Sequence, residues 1–168
     1  MSKKRHKILA IDPGMRMMGV AFLEGDSIIY HGVKMIPRKK IPHETLREGR
    51  KIILRLINGL RPRILVVEKT FFANNRNMAF LNDFVKQIQM IGRRKGLRVL
   101  AYAPNTVKKC ICGDGRASKE EVARAVIARY PELKVYLTQD RKWKERYHQN
   151  MFDAIGLALV CSQKIDVI

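Results

Sequence analysis

The sequence predicts a single α/β domain: a mixed five-stranded sheet, antiparallel over its first three strands and parallel after them, with helices on both faces. Three observations lead there. Three short apolar segments separated by turn residues fill the first thirty or so positions, the pattern of an antiparallel meander. Two later apolar runs, "ILVV" and "LRVLAY", are separated by a long helical stretch, and such a strand–helix–strand unit closes by a right-handed crossover into a parallel sheet. The chain has 168 residues, one domain's worth, with no internal repeat, linker or low-complexity segment.

Taken in order, residues 1–6 form a short basic arm. Residues 8–11, 20–22 and 28–30 are the three meander strands, with the Gly-containing turn "LEGDS" between the second and third. "PHETLREGRKIILRLINGL" spaces Leu46, Ile53, Leu56, Ile57 and Leu60 near helical periodicity with charge on the other face, an amphipathic helix. Residues 64–67 are apolar without interruption, as in a strand buried on both faces, and Glu68 closes them. A helix is expected over 77–95, ended by Gly96, and a buried strand over 97–102. "SKEEVARAVIARY" opens on a capping box, Ser118 with Glu121, and stops before Pro131. A last, largely apolar helix is expected over 151–162.

Charge narrows the function. Lys and Arg number 34 against 15 Asp and Glu, a net charge of +19. A field of that size attracts polyanions, above all phosphate backbones. No apolar run approaches the roughly 18 residues of a membrane span, and the apolar segment after the basic arm stops at Asp12, too short for a secretion signal. The expectation is a cytoplasmic, nucleoid-associated protein, or its viral or organellar equivalent, that is not secreted. Cys110 and Cys112 form a C-x-C without a second pair, and Cys161 sits in an apolar run, so reduced thiols are expected.

Three acids carry the chemistry. In parallel sheets sites lie at the carboxyl ends of strands, where Asp12 and Glu68 stand. Each has a plain alternative: Asp12-Pro13-Gly14 is good turn chemistry, and Glu68 reads equally as a solvated strand end. Asp153 would fall in the first turn of the last helix, as a capping residue after Asn150 or as a carboxylate held by the helix dipole. Together, three acids at element ends on a strongly cationic chain suit two-metal phosphodiester chemistry. Hard Mg²⁺ ions take carboxylate oxygens, and a pair about 4 Å apart activates a water and stabilises the leaving oxygen.

"ILAIDPGMRMMGVAFLEG", "ILVVEKTFFANNRN", "YAPNTVKKCICGDGRASKEEV" and "NMFDAIGLALV" resemble, in order and spacing, the RuvC family of Holliday-junction resolvases, over about residues 7–163. The Asp-Pro-Gly start is shared with several RNase H-like relatives; the lysine- and glycine-containing third block is the distinctive one. The resemblance implies an RNase H-like fold, a homodimer, and symmetrical paired nicking of four-way DNA junctions with two Mg²⁺ ions per site, Mn²⁺ substituting. It also implies a branch-migration helicase as a partner. It makes Asp12, Glu68 and Asp153 metal ligands, and places Lys108 and Lys119 near the scissile phosphate. Phe71, with Phe72 as the alternative, would stack on unpaired bases. Asn74, Lys109 and Arg116 would join the DNA-binding set, and Gly113 and Gly115 would let phosphate approach the backbone.

Two departures stand out. Where the family pattern has a fourth acidic or histidine ligand, three residues before the last aspartate, this chain has Asn150, an uncharged and weaker oxygen ligand. His148 is the alternative, as a water-orienting or proton-shuttling group. It lies about 140° from Asp153 on a continuous helix, so it reaches the site only if the helix begins after it. The stretch "MAFLNDFVKQIQMIGRRKG" also lacks the small-residue, Gly-containing helix start of relatives, which bears on dimer and junction geometry. Two competing readings remain: an RNase H-like nuclease acting on RNA, and a junction-binding protein with a weakened metal site. An actin-like phosphotransferase needs paired domains, for which the chain is too short.

Overall fold

A computed structural model describes residues 5–70, 75–137 and 142–166 of the chain. Five strands, β1 (Lys7–Asp12), β2 (Met17–Glu24), β3 (Ser27–Met35), β4 (Ile64–Glu68) and β5 (Arg98–Tyr102), form one sheet in the order β3-β2-β1-β4-β5. The β1/β2 and β2/β3 pairs are antiparallel and the β1/β4 and β4/β5 pairs parallel, as expected. The helices are α1 (Pro42–Leu60), α2 (Arg76–Arg94), α3 (Pro104–Cys112), α4 (Lys119–Arg129), α5 (Lys134–Leu137) and α6 (Lys142–Ile165), with a 3₁₀ turn at Pro131–Leu133. Among the described residues no helix is long and apolar enough to cross a membrane.

The continuous apolar runs serve two cores. Ile8, Ala10, Ile64 and Val66 pack into one cluster with α4 and α6. Leu9, Ile11, Leu65 and Val67 face the other way, into a cluster with α1 and α2. Because side chains alternate along a strand, Asp12 follows Ile8 and Ala10, and Glu68 follows Ile64 and Val66. Both acids therefore face α6. On the opposite face, Gly49 of α1 lets the Phe84 ring of α2 approach to where a Cβ would stand 2.7 Å away.

Three helices differ from the expectation; the four-residue α5 was not expected. Helix α3 was not foreseen: Pro104 starts it and Gly113 (φ 78°) ends it, but its apolar face is only Val107 and Ile111, too short to show as a periodic stripe. Helix α6 begins at Lys142, nine residues before position 151. No glycine or proline stands between Pro131 and Gly156, and the Lys-, Arg-, Glu- and Gln-rich segment favours helix without needing an apolar face. Asn150 is thus no N-cap, and Asp153 lies mid-helix. The capping box of α4 forms as expected, the Ser118 hydroxyl accepting from the Glu121 N–H (3.2 Å) and Glu121 accepting from the Ser118 N–H (2.6 Å).

Helix α6 lies across β1, β2 and β4 and rests directly on β2 at one point. A Cβ on Gly19 would stand 1.7 Å from the carbonyl oxygen of Asn150, and Gly19 is the antiparallel partner of Asp12. Gly19→Ala is therefore expected to lift α6 and cost about 2–3 kcal/mol in urea denaturation, as overpacking does. Unchanged stability would mean that α6 is not seated there.

Candidate active site

The parallel register pairs Ile11 with Val67, and one further step brings Asp12 beside Glu68. The chain leaving Glu68 is pinned to β5 by the Lys69 N–H donating to the Tyr102 carbonyl (2.9 Å). Asp153 reaches the same place from α6. A cavity of about 390 Å³ is lined by Asp12, Glu68 and Asp153, with Asn150, Lys108 and Lys119 among its other walls. Asn150 shares the face of α6 that carries Asp153, three residues away.

The acids repel one another at a place where protein has displaced most of their water. Burial, then the charges of Glu68 and Asp153, hold the Asp12 carboxyl well above the usual range, and Lys119 opposes the rise. Burial and the Asp153 charge push Glu68 up to about 7, against Lys119 and Lys108. Burial raises Asp153 too, offset by a hydrogen bond from Gln149 and by the same lysines. Among the described residues no three His, Cys, Asp or Glu side chains already close on one point. The site is an open set of hard oxygen donors, which suits Mg²⁺, an ion that keeps several of its waters. Mutually repelling carboxylates also need a cation to ionise fully together. Asp12, Glu68 and Asp153 would hold it, with the Asn150 amide oxygen as a neutral donor.

Other expected residues fall elsewhere. Lys109 and Arg116 are exposed and do not line the cavity. The Arg116 N–H donates to the Asp114 carboxylate (2.9 Å), shaping the loop between α3 and α4. In that loop a Cβ on Gly115 would stand 3.3 Å from the Asn105 carbonyl oxygen. His148 is corrected: α6 runs continuously through it, so it turns away from Asp153 and packs against Tyr136 (ring centroids 4.8 Å) and Tyr147 (5.3 Å). Phe71, Phe72 and Asn74 lie outside the described residues. The three cysteines are free thiols.

Two residues join the site without having been foreseen. The Gln149 amide donates both to Asp153 Oδ1 (3.0 Å) and to the Lys119 carbonyl (3.3 Å), tying α6 to the first turn of α4. Its spacing of four before Asp153 was the available signal, hidden by the late helix start. Thr70, on the cavity wall, donates its hydroxyl to the Asn82 side chain of α2.

A family model described as "Crossover junction endodeoxyribonuclease RuvC" matches residues 8–159. The chain belongs to the RuvC family. The RuvC of Akkermansia muciniphila is 32% identical over 127 residues, covering 73% of this chain and 76% of that protein. That of Thermotoga maritima is 29% identical over 125 residues, 71% of this chain and 74% of that protein. The solved structure of Thermus thermophilus RuvC in complex with Holliday junction substrate superposes with a TM-score of 0.76 at 21% identity, over 96% of each chain. The RuvC and RNase H-like fold expected from the sequence is the fold found.

The raised carboxyl groups fix the sign of a pH effect. A carboxyl whose folded pKa exceeds its unfolded value stabilises the fold at low pH, and that contribution is lost as pH rises through the folded value. For Glu68 the window runs from 4.5 to about 7. In EDTA at pH 8, Glu68→Gln is expected to be more stable than the parent by on the order of 3 kcal/mol, with little difference at pH 4.5. Saturating Mg²⁺ should narrow the gap at pH 8 by stabilising the parent. Equal stability of the two proteins in EDTA at pH 8 would remove the repulsion argument.

Proposed function

We propose that this RuvC-family chain is a divalent-metal-dependent endodeoxyribonuclease that resolves four-way DNA junctions by paired, symmetrical nicks, acting as a homodimer. The observation that carries the reading is the meeting of Asp12, Glu68 and Asp153, from three separate elements, in one cavity that also takes in Lys108 and Lys119. A protein that only bound nucleic acid would gain nothing from repelling carboxylates at the phosphate, and the surrounding charge of +19 draws the polyanion in.

Bound Mg²⁺, two ions per site in this reading, would supply an activated water and charge stabilisation at the leaving 3′-oxygen. The chain's own residues do the rest. Asp12 and Glu68 are held at adjacent strand ends and Asp153 on a helix that cannot slide, because its backbone sits on Gly19. Lys119 and Lys108 line the cavity and place positive charge where the phosphate gains negative charge. Gln149 fixes the Asp153 carboxylate and its distance from the lysine-bearing turn of α4.

A mobile four-way junction, a linear duplex and a hairpin RNA, each with Mg²⁺ and with EDTA, separate the readings. Opposed paired nicks on the junction are expected, lost in EDTA. Asp12→Asn should lower nicking by at least about a thousandfold, roughly 4 kcal/mol of barrier, while junction binding stays. Junction binding without nicking in Mg²⁺ or Mn²⁺ would instead support a binding protein, and preference for the hairpin an RNA nuclease.

Asn150 provides a separate test. Asn150→Asp adds a charged ligand on the cavity face and is expected to tighten Mg²⁺ binding about tenfold by calorimetry. An unchanged affinity would take Asn150 out of the ligand set.

A further inference from the structure

The cations of this chain are not confined to the pole of the sheet that carries the acids. At the opposite pole, where β4 and β5 begin, the Arg63 N–H donates to the Lys7 carbonyl (2.9 Å) and the Arg98 N–H donates to the Arg63 carbonyl (3.0 Å). These bonds fix the two arginines on neighbouring strands. The C-terminal ends of α1 and α2 add Arg61, Arg93, Arg94 and Lys95. All six are exposed. Along β4, Arg63 stands five residues before Glu68, about 16 Å away, so this surface is no part of the carboxylate cavity.

Four features distinguish it from a merely solvated face. The sequence holds no acid between Glu48 and Glu68 or between Asp83 and Asp114. Among the described residues none of the five arginines is in an ion pair. Helix dipoles account for cations at the ends of α1 and α2 but not for Arg63 and Arg98, at strand starts. Arg61 adopts φ 49° and ψ 56°, the left-handed conformation that Gly96 (φ 74°) and Gly113 (φ 78°) fill at other helix ends. A glycine would sit there without strain, and the chain instead carries a guanidinium.

We propose that this pole is a second phosphate-binding surface, on which Arg61, Arg63, Arg93, Arg94, Lys95 and Arg98 hold a further segment of duplex DNA while the carboxylate pole engages the junction. The arginine-rich set suits phosphate, whose oxygens the guanidinium fork matches. Among the described residues the exposed large apolar side chains are Met15, Ile29, Met35, Ile41, Met90 and Val135, and of these Met90, one turn before Arg93 and Arg94 on α2, borders the six. A single methionine beside six cations is a small apolar anchor for a protein interface or a membrane-inserting face. The choice of DNA as the polyanion rests on the nuclease reading above.

The test loads full-length protein onto an immobilised four-way junction in EDTA, with the junction in excess, and adds a labelled linear duplex. The wild type retains the duplex. The triple variant Arg63→Gln, Arg94→Gln, Arg98→Gln is expected to lose about tenfold in duplex affinity, with the salt slope of capture smaller by about 3, near 0.9 per lost contact. Its thermal melt and its single-turnover junction nicking in Mg²⁺ should match wild type. Arg47→Gln, Arg50→Gln, Arg55→Gln removes the same charge from α1 and should capture normally. Equal capture by the first triple, or equal loss in the second, would overturn the proposal. So would loss of binding to phosphatidylserine vesicles or polyglutamate with duplex capture intact. Wild type that captures duplex in the expected way but fails to nick would reject the nuclease reading and support this surface.

Discussion

The position of the whole site depends on one backbone-to-backbone contact. Gly19 has no side chain, so the Asn150 carbonyl of α6 can lie where a Cβ would otherwise be. Gly19 pairs with Asp12, so the point at which the helix touches the sheet is also the point from which the first acid projects. Three residues further along α6, Asp153 follows with no freedom to withdraw. The run from Ala154 to Cys161 is buried throughout, and with Ile111 packed close on Gly156 it holds the rest of the helix in place. The packing on Gly19 fixes the seat, and the acid is carried by it.

That seat must resist the acids it positions. Asp12, Glu68 and Asp153 each lose water as the domain folds, Asp12 and Glu68 gain like charge as well, and all three carboxyl groups are raised as a result. Lys119, exposed, and Lys108, half-buried, relieve this in part only, because solvent screens their charges. The two cores on either side of the sheet supply the stability that makes such a site tolerable. A local arrangement that is unfavourable by itself and held by its surroundings is a common property of functional sites.

Much of this was legible in the sequence, for identifiable reasons. Strands β1 and β4 are buried on both faces, so their apolar runs are unbroken and Asp12 and Glu68 stand out as the residues that end them. Helices α1 and α4 declared themselves through periodicity and a capping box. The misses share a cause. Helix α3 is nine residues long with only Val107 and Ile111 on its apolar face, and the sequence from Lys142 to Asn150 is mostly polar, so a reading built on longer apolar spacing passes over both. From the late start assigned to α6 came the capping role for Asn150, the room left for His148 at the site, and the silence about Gln149. A continuous helix decides all three by angle alone: positions 149 and 150 share the face of Asp153, and position 148 does not.

The amides on that face make physical sense of the departure at Asn150. A carboxylate there would add a fourth negative charge to a cavity whose three acids already resist ionisation, on the same helix and one turn from Asp153. The cost would fall on the seating of α6, since separating the charges means lifting the helix from Gly19. An asparagine leaves an oxygen in the cavity without that charge, and Gln149, one residue earlier, donates to Asp153 and to the Lys119 carbonyl at once. One neutral side chain, Gln149, thus holds the last acid in register with α4. It does so with directional bonds, where a further charge would have relied on a cation to balance it.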